Sequence, residues 1–196
     1  MRRIEMAFSL IVALVLVVSS PASAHTGNVS GGFGGGFAHP ILGPDHVLAM
    51  VAVGLWGAFL GVPAIFILPI VFPLVMALGG VLGIVGVLLP GAEVAIAISA
   101  VVLGLMVALA VRLPIWTAAA MIGVFAIFHG YTHGAELPAG ANAVAYCTGF
   151  VIATGLLHLS GIALGLTARW PAGYIGVRSV GAAIACAGVA FLWQLA

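Results

Sequence analysis

Long apolar segments are the feature that most constrains how this chain folds. Within residues 44–196, six of them follow one another with very short connections, at 44–60, 64–89, 93–111, 114–135, 142–167 and 174–195. Hydrophobic residues make up 64% of the 196-residue chain and charged residues only 5%, whereas a soluble domain is about 45–50% apolar. Because about 20 residues cross a bilayer core and backbone groups in lipid must pair internally, we predict an all-α bundle of six transmembrane helices.

The first 24 residues have the pattern of a secretory signal peptide. Arg2 and Arg3 precede an apolar stretch, residues 6–18, that is short for a span, and "PASA" ends it as a small-residue cleavage pattern. Cleavage places His25 at the mature N-terminus, outside the cytoplasm; an uncleaved first helix is the alternative. Residues 25–43 are a Gly-rich segment leading into the first motif, and residues 26–38 have the composition of a flexible tether.

The few charges of the apolar region predict its orientation. Arginines follow the third and fifth segments, and glutamates follow the second and fourth; these are Arg112, Arg169, Arg178, Glu93 and Glu136. Since cytoplasmic loops are enriched in Lys and Arg, both termini should lie outside. A net charge of +1 argues against a nucleic-acid surface. The chain also has no Walker-type nucleotide-binding loop.

Prolines and cysteines within the apolar segments allow two interpretations each. Pro69 and Pro73 stand before a glycine-rich run in the second segment. A bent packing helix with small residues at a crossing is the simple interpretation, and a hinge beside a transport site is the sharper one. Cys147 and Cys186 are interpreted as small buried hydrophobes, with a disulfide as the alternative.

The outer end of the fourth segment, "FHGYTHGAE", carries three potential metal ligands. His129 and His133 are four residues apart, about 40° on a helix of 3.6 residues per turn, and Glu136 lies nearly two turns from His129 on the same face. Two imidazoles so placed can point at one cation. Neutral imidazole suits nickel, cobalt, zinc or copper, so this pattern predicts a metal site.

A second polar group lies at the start of the first segment, in "HPILGPDHVLAM". Two prolines and a glycine interrupt any regular helix between His39 and Asp45, while Pro44 suits a first helical turn that would hold Asp45 and His46. Asp45 alone is explained as a carboxylate at the positive end of a helix, but the histidines are not. Both polar groups are expected at the outer face, so we predict that they meet around one metal ion.

Three further residues are candidates for that ion. His158 lies within the fifth segment and would be a deeper station; hydrogen bonding between helices is the alternative. Met50 follows His46 by four residues and would add a soft ligand, with core packing as the alternative. His25 would chelate through its free amine and imidazole, with a frayed terminus as the alternative.

Both motifs resemble a known family. "HPILGPDHVLAM" and "FHGYTHGAELP" are similar to the two characteristic motifs of the HupE/UreJ family, and the resemblance covers the whole chain. It implies a six-span permease of the bacterial inner membrane that imports nickel, or cobalt, for hydrogenase or urease. It also implies that His39, Asp45 and His46 of the first motif bind metal with the second motif's His129, His133 and Glu136.

The leading functional hypothesis is therefore a secondary transporter or facilitator for Ni²⁺, and not an enzyme. Co²⁺ and Zn²⁺ accept the same ligands, so the ion is open among the three. The expected partners are the ion and membrane lipid, without nucleotide or nucleic acid; a homo-oligomer is left open. The alternatives are an intramembrane metal-dependent hydrolase and a metal-binding accessory subunit without transport.

Overall fold

The computed structural model describes residues 32–137 and 140–196, and this part of the chain is almost wholly helical. Its α-helices, in chain order, are α1 (Phe33–Leu42), α2 (Pro44–Leu60), α3 (Ala64–Ile84), α4 (Ala92–Ala108), α5 (Ile115–Ala135), α6 (Ala143–Gly165) and α7 (Pro171–Gln194), with a short 3₁₀ helix (Leu166–Arg169) before α7. The all-α prediction is confirmed. The predicted signal peptide and His25 lie outside the described residues.

Each predicted apolar segment corresponds to one helix, from α2 to α7. Four helices are long and apolar enough to cross a membrane: α3, α5, α6 with its 3₁₀ extension, and α7. A fifth candidate span is formed by α1 and α2 together, which are bent by 81° at their junction. The apolar α4 has 17 residues and so extends only about 25 Å. By length, the described residues hold four or five candidate spans. The predicted number of six is reached only if α1 and α2 form one span and the shorter α4 also crosses the membrane.

The central helix of the bundle is α2. Of its 17 residues, 11 are buried, including Leu55 and Trp56, and it contacts α3, α4, α6 and α7. Around it, α3 packs on α5, α4 packs on α7, and α6 packs on both α1 and α2. A helix that is apolar on all sides has no preferred solvent face, so neighbouring helices can surround it.

Glycines allow α3 and α5 to approach closely. At Gly83 of α3 an added Cβ would overlap the Tyr131 carbonyl, and at Gly130 of α5 it would overlap the Met76 carbonyl. The helix α3 continues through both of its prolines. Small residues thus lie at a helix crossing, as the simple interpretation of this segment expects.

The helix α1 corrects the predicted flexible tether, which is wrong for residues 33–38. Glycine has a low helix propensity, but here the glycines form a contact surface. The backbone of Gly36 lies against Tyr146 of α6, and that of Gly149 lies against Phe33. This close packing compensates for the poor propensity. Pro40 lies inside α1, so the chain breaks only at Gly43.

Both cysteines correct another prediction. Cys147 on α6 and Cys186 on α7 are free thiols, and both are exposed. They are neither joined to each other nor buried in the bundle. In a membrane protein the outer surface faces apolar lipid tails, so a small apolar side chain does not require burial against protein.

The three arginines of the described residues, Arg112, Arg169 and Arg178, lie at one end of the bundle. Arg112 packs over the Phe59 ring at the C-terminal end of α2, 5.4 Å from its centroid. Arg178 donates from Nε to the carbonyl of Ala108 at 2.7 Å, and Arg169 lies over the Trp170 ring. The two histidine motifs are at the opposite end, at the start of α2 and the end of α5. In the described part of the chain, the arginines and the two histidine motifs therefore lie at opposite ends of the bundle.

Candidate metal site

Three imidazoles from three helices converge at the end of the bundle opposite the arginines. His39 lies in the last turn of α1, His46 in the first turn of α2 and His133 in the last turn of α5. Each offers one ring nitrogen, and these nitrogens lie within 4.8 Å of one another. Two nitrogens that bind one ion at about 2.1 Å are at most about 4.2 Å apart. Small ring rotations would therefore bring the three to coordinating distance.

The break at Gly43 creates this convergence. The Gly43 N–H donates to the His39 carbonyl at 3.1 Å and ends α1, and Pro44 begins α2 at a position where no N–H is needed. A Cβ at Gly43 would lie 2.8 Å from Nδ1 of His46. The resulting bend turns His39 back toward His46, with 5.6 Å between ring centroids.

Asp45 orients one of the three imidazoles. Nδ1 of His46 and Oδ1 of Asp45 are 2.8 Å apart, so the ring donates to the carboxylate and keeps Nε2 as its acceptor. This Nε2 is buried and has no hydrogen-bond partner among the described residues. A carboxylate that fixes the tautomer and raises the basicity of a histidine is typical of metal sites. The structure thus places Asp45 behind His46, in a supporting position.

His129 lies one turn deeper than His133 on α5. Its ring centroid is 5.6 Å from that of His46, and its Nδ1 donates to the Phe125 carbonyl at 2.9 Å. The opposite nitrogen, Nε2, is buried without a hydrogen-bond partner in the described part of the chain. His129 is therefore adjacent to the group of three, on its inward side, and its Nε2 is available as a further ligand.

Glu136 lies at the rim of the site. It directly follows α5, is exposed, and interacts electrostatically with Tyr146 of α6. The Tyr146 ring in turn lies 6.3 Å from that of His39. The structure therefore brings His39, Asp45, His46, His129 and His133 together, and it places Glu136 toward the exterior beside them.

Aromatic side chains of α6 that the sequence did not single out also form this site. Phe150 packs against His133, with ring centroids 4.2 Å apart. Together with Tyr146 it borders a cavity of about 220 Å³ between α3, α5 and α6, which reaches His133. Tyr146 and Phe150 are four residues apart, which places them on one face of α6. That spacing is the signal that would have identified them.

The remaining candidates lie deeper in the bundle. His158 is only 1% exposed and its ring is 5.3 Å from that of Phe72, which in turn lies 5.4 Å from His129. Phe72 thus stands between His158 and the outer histidines. Met50 is completely buried in the hydrophobic core, as its packing interpretation expects.

Comparison with known proteins assigns the family. Residues 12–191 match the family described as HupE / UreJ protein. Protein HupE of Rhizobium leguminosarum bv. viciae is 48% identical over 177 residues, which cover 90% of this chain and 93% of that protein. No solved structure matches. The chain therefore belongs to the HupE/UreJ family and is a multi-pass protein of a bacterial membrane.

Proposed function

We propose that this protein is a permease that imports Ni²⁺, or Co²⁺, into the cytoplasm for hydrogenase or urease maturation. The observation that carries the proposal is the convergence of His39, His46 and His133 from three different helices. Family membership supports it, because the HupE/UreJ family is associated with accessory nickel and cobalt transport.

The chemistry of the site fits a divalent ion of borderline softness as transported substrate. Imidazole nitrogen is a good ligand for nickel, cobalt and zinc, whereas magnesium and calcium prefer oxygen. His133 has both ring nitrogens buried without hydrogen-bond partners in the described residues. Burying such groups is costly unless something binds them. Ion binding would relieve that cost, and Asp45 would offset part of the charge.

We further propose six spans with both termini outside. In this orientation the end of α1, the start of α2 and the end of α5 hold the histidine site on the outer side, and Arg112, Arg169 and Arg178 face the cytoplasm, in agreement with the positive-inside rule. A divalent cation entering a negative interior gains about 4.6 kcal/mol per 100 mV. The membrane potential alone would drive uptake, and no nucleotide is required.

Uptake of ⁶³Ni²⁺ into proteoliposomes tests the permease. The wild type should accumulate the ion above empty vesicles, and excess Co²⁺ should compete more strongly than Mg²⁺. His46→Ala and His129→Ala should each slow uptake at least about tenfold, because each removes an open nitrogen from the site. Thr148→Val is the matched control, since its exposed hydroxyl only donates to Val144 of its own helix.

Two results would contradict the proposal. Wild-type vesicles that take up no more ⁶³Ni²⁺ than empty ones exclude a permease. If the same preparation nevertheless binds Ni²⁺ in equilibrium dialysis, the accessory-subunit alternative replaces it. Uptake that is unchanged in both histidine variants would show that transport uses a different route.

A further inference from the structure

A second group of buried polar atoms lies inward of the histidine site. Gly54 of α2, whose backbone packs on the carbonyl of His158, is eight residues after His46. On α6, His158 is likewise eight residues after Phe150, which touches His133. Eight residues rise about 12 Å along a helix. His158 is therefore about 12 Å further along the helices than the level of His46 and His133.

Two side chains of this inner group have unused hydrogen-bonding atoms. His158 is 1% exposed and Thr154 is completely buried. Across the described residues, both ring nitrogens of His158 and the hydroxyl of Thr154 lack a hydrogen-bond partner. The two residues are four apart on α6 and so share one face. Two unpartnered polar groups one turn apart, at this depth, are costly unless they serve a ligand.

A backbone carbonyl of α3 completes the group. Pro73 has no N–H, so the carbonyl of Pro69 lacks its usual helical donor. The backbone of Pro69 lies beside the His158 ring, although the contact is not a well-formed hydrogen bond, as the open ring nitrogens show. Pro73 therefore leaves one extra acceptor oxygen, the Pro69 carbonyl, next to His158.

We propose that His158, Thr154 and the Pro69 carbonyl form an inner binding station for the transported divalent cation. This inference rests on the proposed permease function and specifies its route. The ion would leave the outer histidines, pass the Phe72 ring that separates His129 from His158, and bind one imidazole nitrogen and two neutral oxygens. Displacement of the Phe72 side chain would connect the two stations.

The inner station should bind more weakly than the outer one. The acidic residues of the whole chain are Glu5, Asp45, Glu93 and Glu136, and α6 contains none of them. A neutral set with a single imidazole holds a divalent ion less firmly than three imidazoles backed by a carboxylate. Conduction needs sites that an ion can leave, so this order of affinities favours inward release.

A purely structural role for His158 is the competing explanation, and asparagine separates the two. His158→Asn keeps a polar side chain that can donate to the Pro69 carbonyl, but it removes the imidazole nitrogen. If His158 only holds α6 to α3, this variant should transport normally. If it is a station for the ion, the variant should fold, bind ⁶³Ni²⁺ at the outer site, and transport slowly.

The experiment measures two quantities on each purified variant: ⁶³Ni²⁺ affinity in equilibrium dialysis and ⁶³Ni²⁺ flux into proteoliposomes at saturating ion. For His158→Asn and Thr154→Val we expect affinity within about twofold of wild type and flux lowered about tenfold and a few-fold, respectively. Thr154→Ser, which keeps the hydroxyl, should recover most of the flux that Thr154→Val loses. Thr148→Val is the control on the exposed face of the same helix.

The outcomes distinguish the inner station from the permease itself. Absent flux in the wild type would reject the permease. Wild-type flux in both His158→Asn and Thr154→Val would reject the inner station and leave the permease standing. If His158→Asn does not fold, Thr154→Val decides alone: slowed flux that Thr154→Ser does not share supports the station, and unchanged flux overturns it.

Discussion

The two ends of the bundle differ in whether their polar side chains have interaction partners. At the arginine end, Arg112 and Arg169 lie over aromatic rings, and Arg178 and the Trp56 indole donate to carbonyls. At the histidine end, buried nitrogens of His46, His129 and His133 have no hydrogen-bond partners within the described residues. Natural proteins satisfy most buried polar groups, so the open nitrogens at this end, together with those of the inner group, indicate functional positions.

This difference is not explained by loose packing at the histidine end. Gly130 and Gly134, which flank His133 on α5, face backbone of Met76 and Gly80 without room for a Cβ. The open nitrogens are therefore held by a closely packed pair of helices. A site whose ligands are held by rigid elements loses less conformational entropy when the ion binds.

The largest expected effect tests whether tight packing supports the histidine end. Gly130→Ala should destabilise the protein by about 3 kcal/mol, because the new Cβ meets the Met76 carbonyl, a backbone atom that cannot turn away. Gly155→Ala is the matched control on α6, where a Cβ has open space. Thermal unfolding in detergent measures both. Equal stability of the two variants would show that the end is loosely packed.

The second largest expected effect tests whether the Asp45 carboxylate supports ion binding. Asp45→Asn should weaken ⁶³Ni²⁺ binding about 10- to 100-fold with little change in thermal stability, since it leaves the ligand nitrogen of His46 in place but removes the charge that orients and polarises its ring. Equilibrium dialysis measures the affinity. An unchanged dissociation constant would mean that Asp45 serves only as a carboxylate at the start of α2 and does not support ion binding by His46.

The smallest effect tests the arginine end. Arg178→Ala should lower stability by about 1 kcal/mol, because it removes one hydrogen bond to Ala108 and one contact with the Tyr174 ring. Ni²⁺ affinity should not change, since these groups lie at the far end from the histidines. A loss of affinity comparable to that of Asp45→Asn would contradict the division of the molecule into a structural end and an ion-binding end.

Much of this fold follows from local features of the chain. Six apolar segments predicted the helices α2 to α7, because lipid leaves a backbone few other ways to pair its polar groups. The spacing of His129 and His133 placed them on one face of α5, and Pro44 placed Asp45 and His46 in a first turn. Each of these conclusions depends on neighbours within a few residues.

Other features depended on contacts between distant segments. The Gly-rich stretch before His39 is helical because its glycines pack on α6, and glycine composition alone favours a flexible chain. The exposure of Cys147 and Cys186 likewise depends on which helix faces turn outward. No local pattern reports these contacts.

The sequence by itself thus determined that the chain is helical, that it belongs in a membrane and which histidines to examine. Only the tertiary structure decided that Asp45 supports His46 from behind, that Phe72 separates His129 from His158, and that Tyr146 and Phe150 border the site. The physical reason is one of range. Hydrophobicity and helical period act over a few residues, whereas the surroundings of a buried side chain are set by helices that pack together from distant parts of the chain.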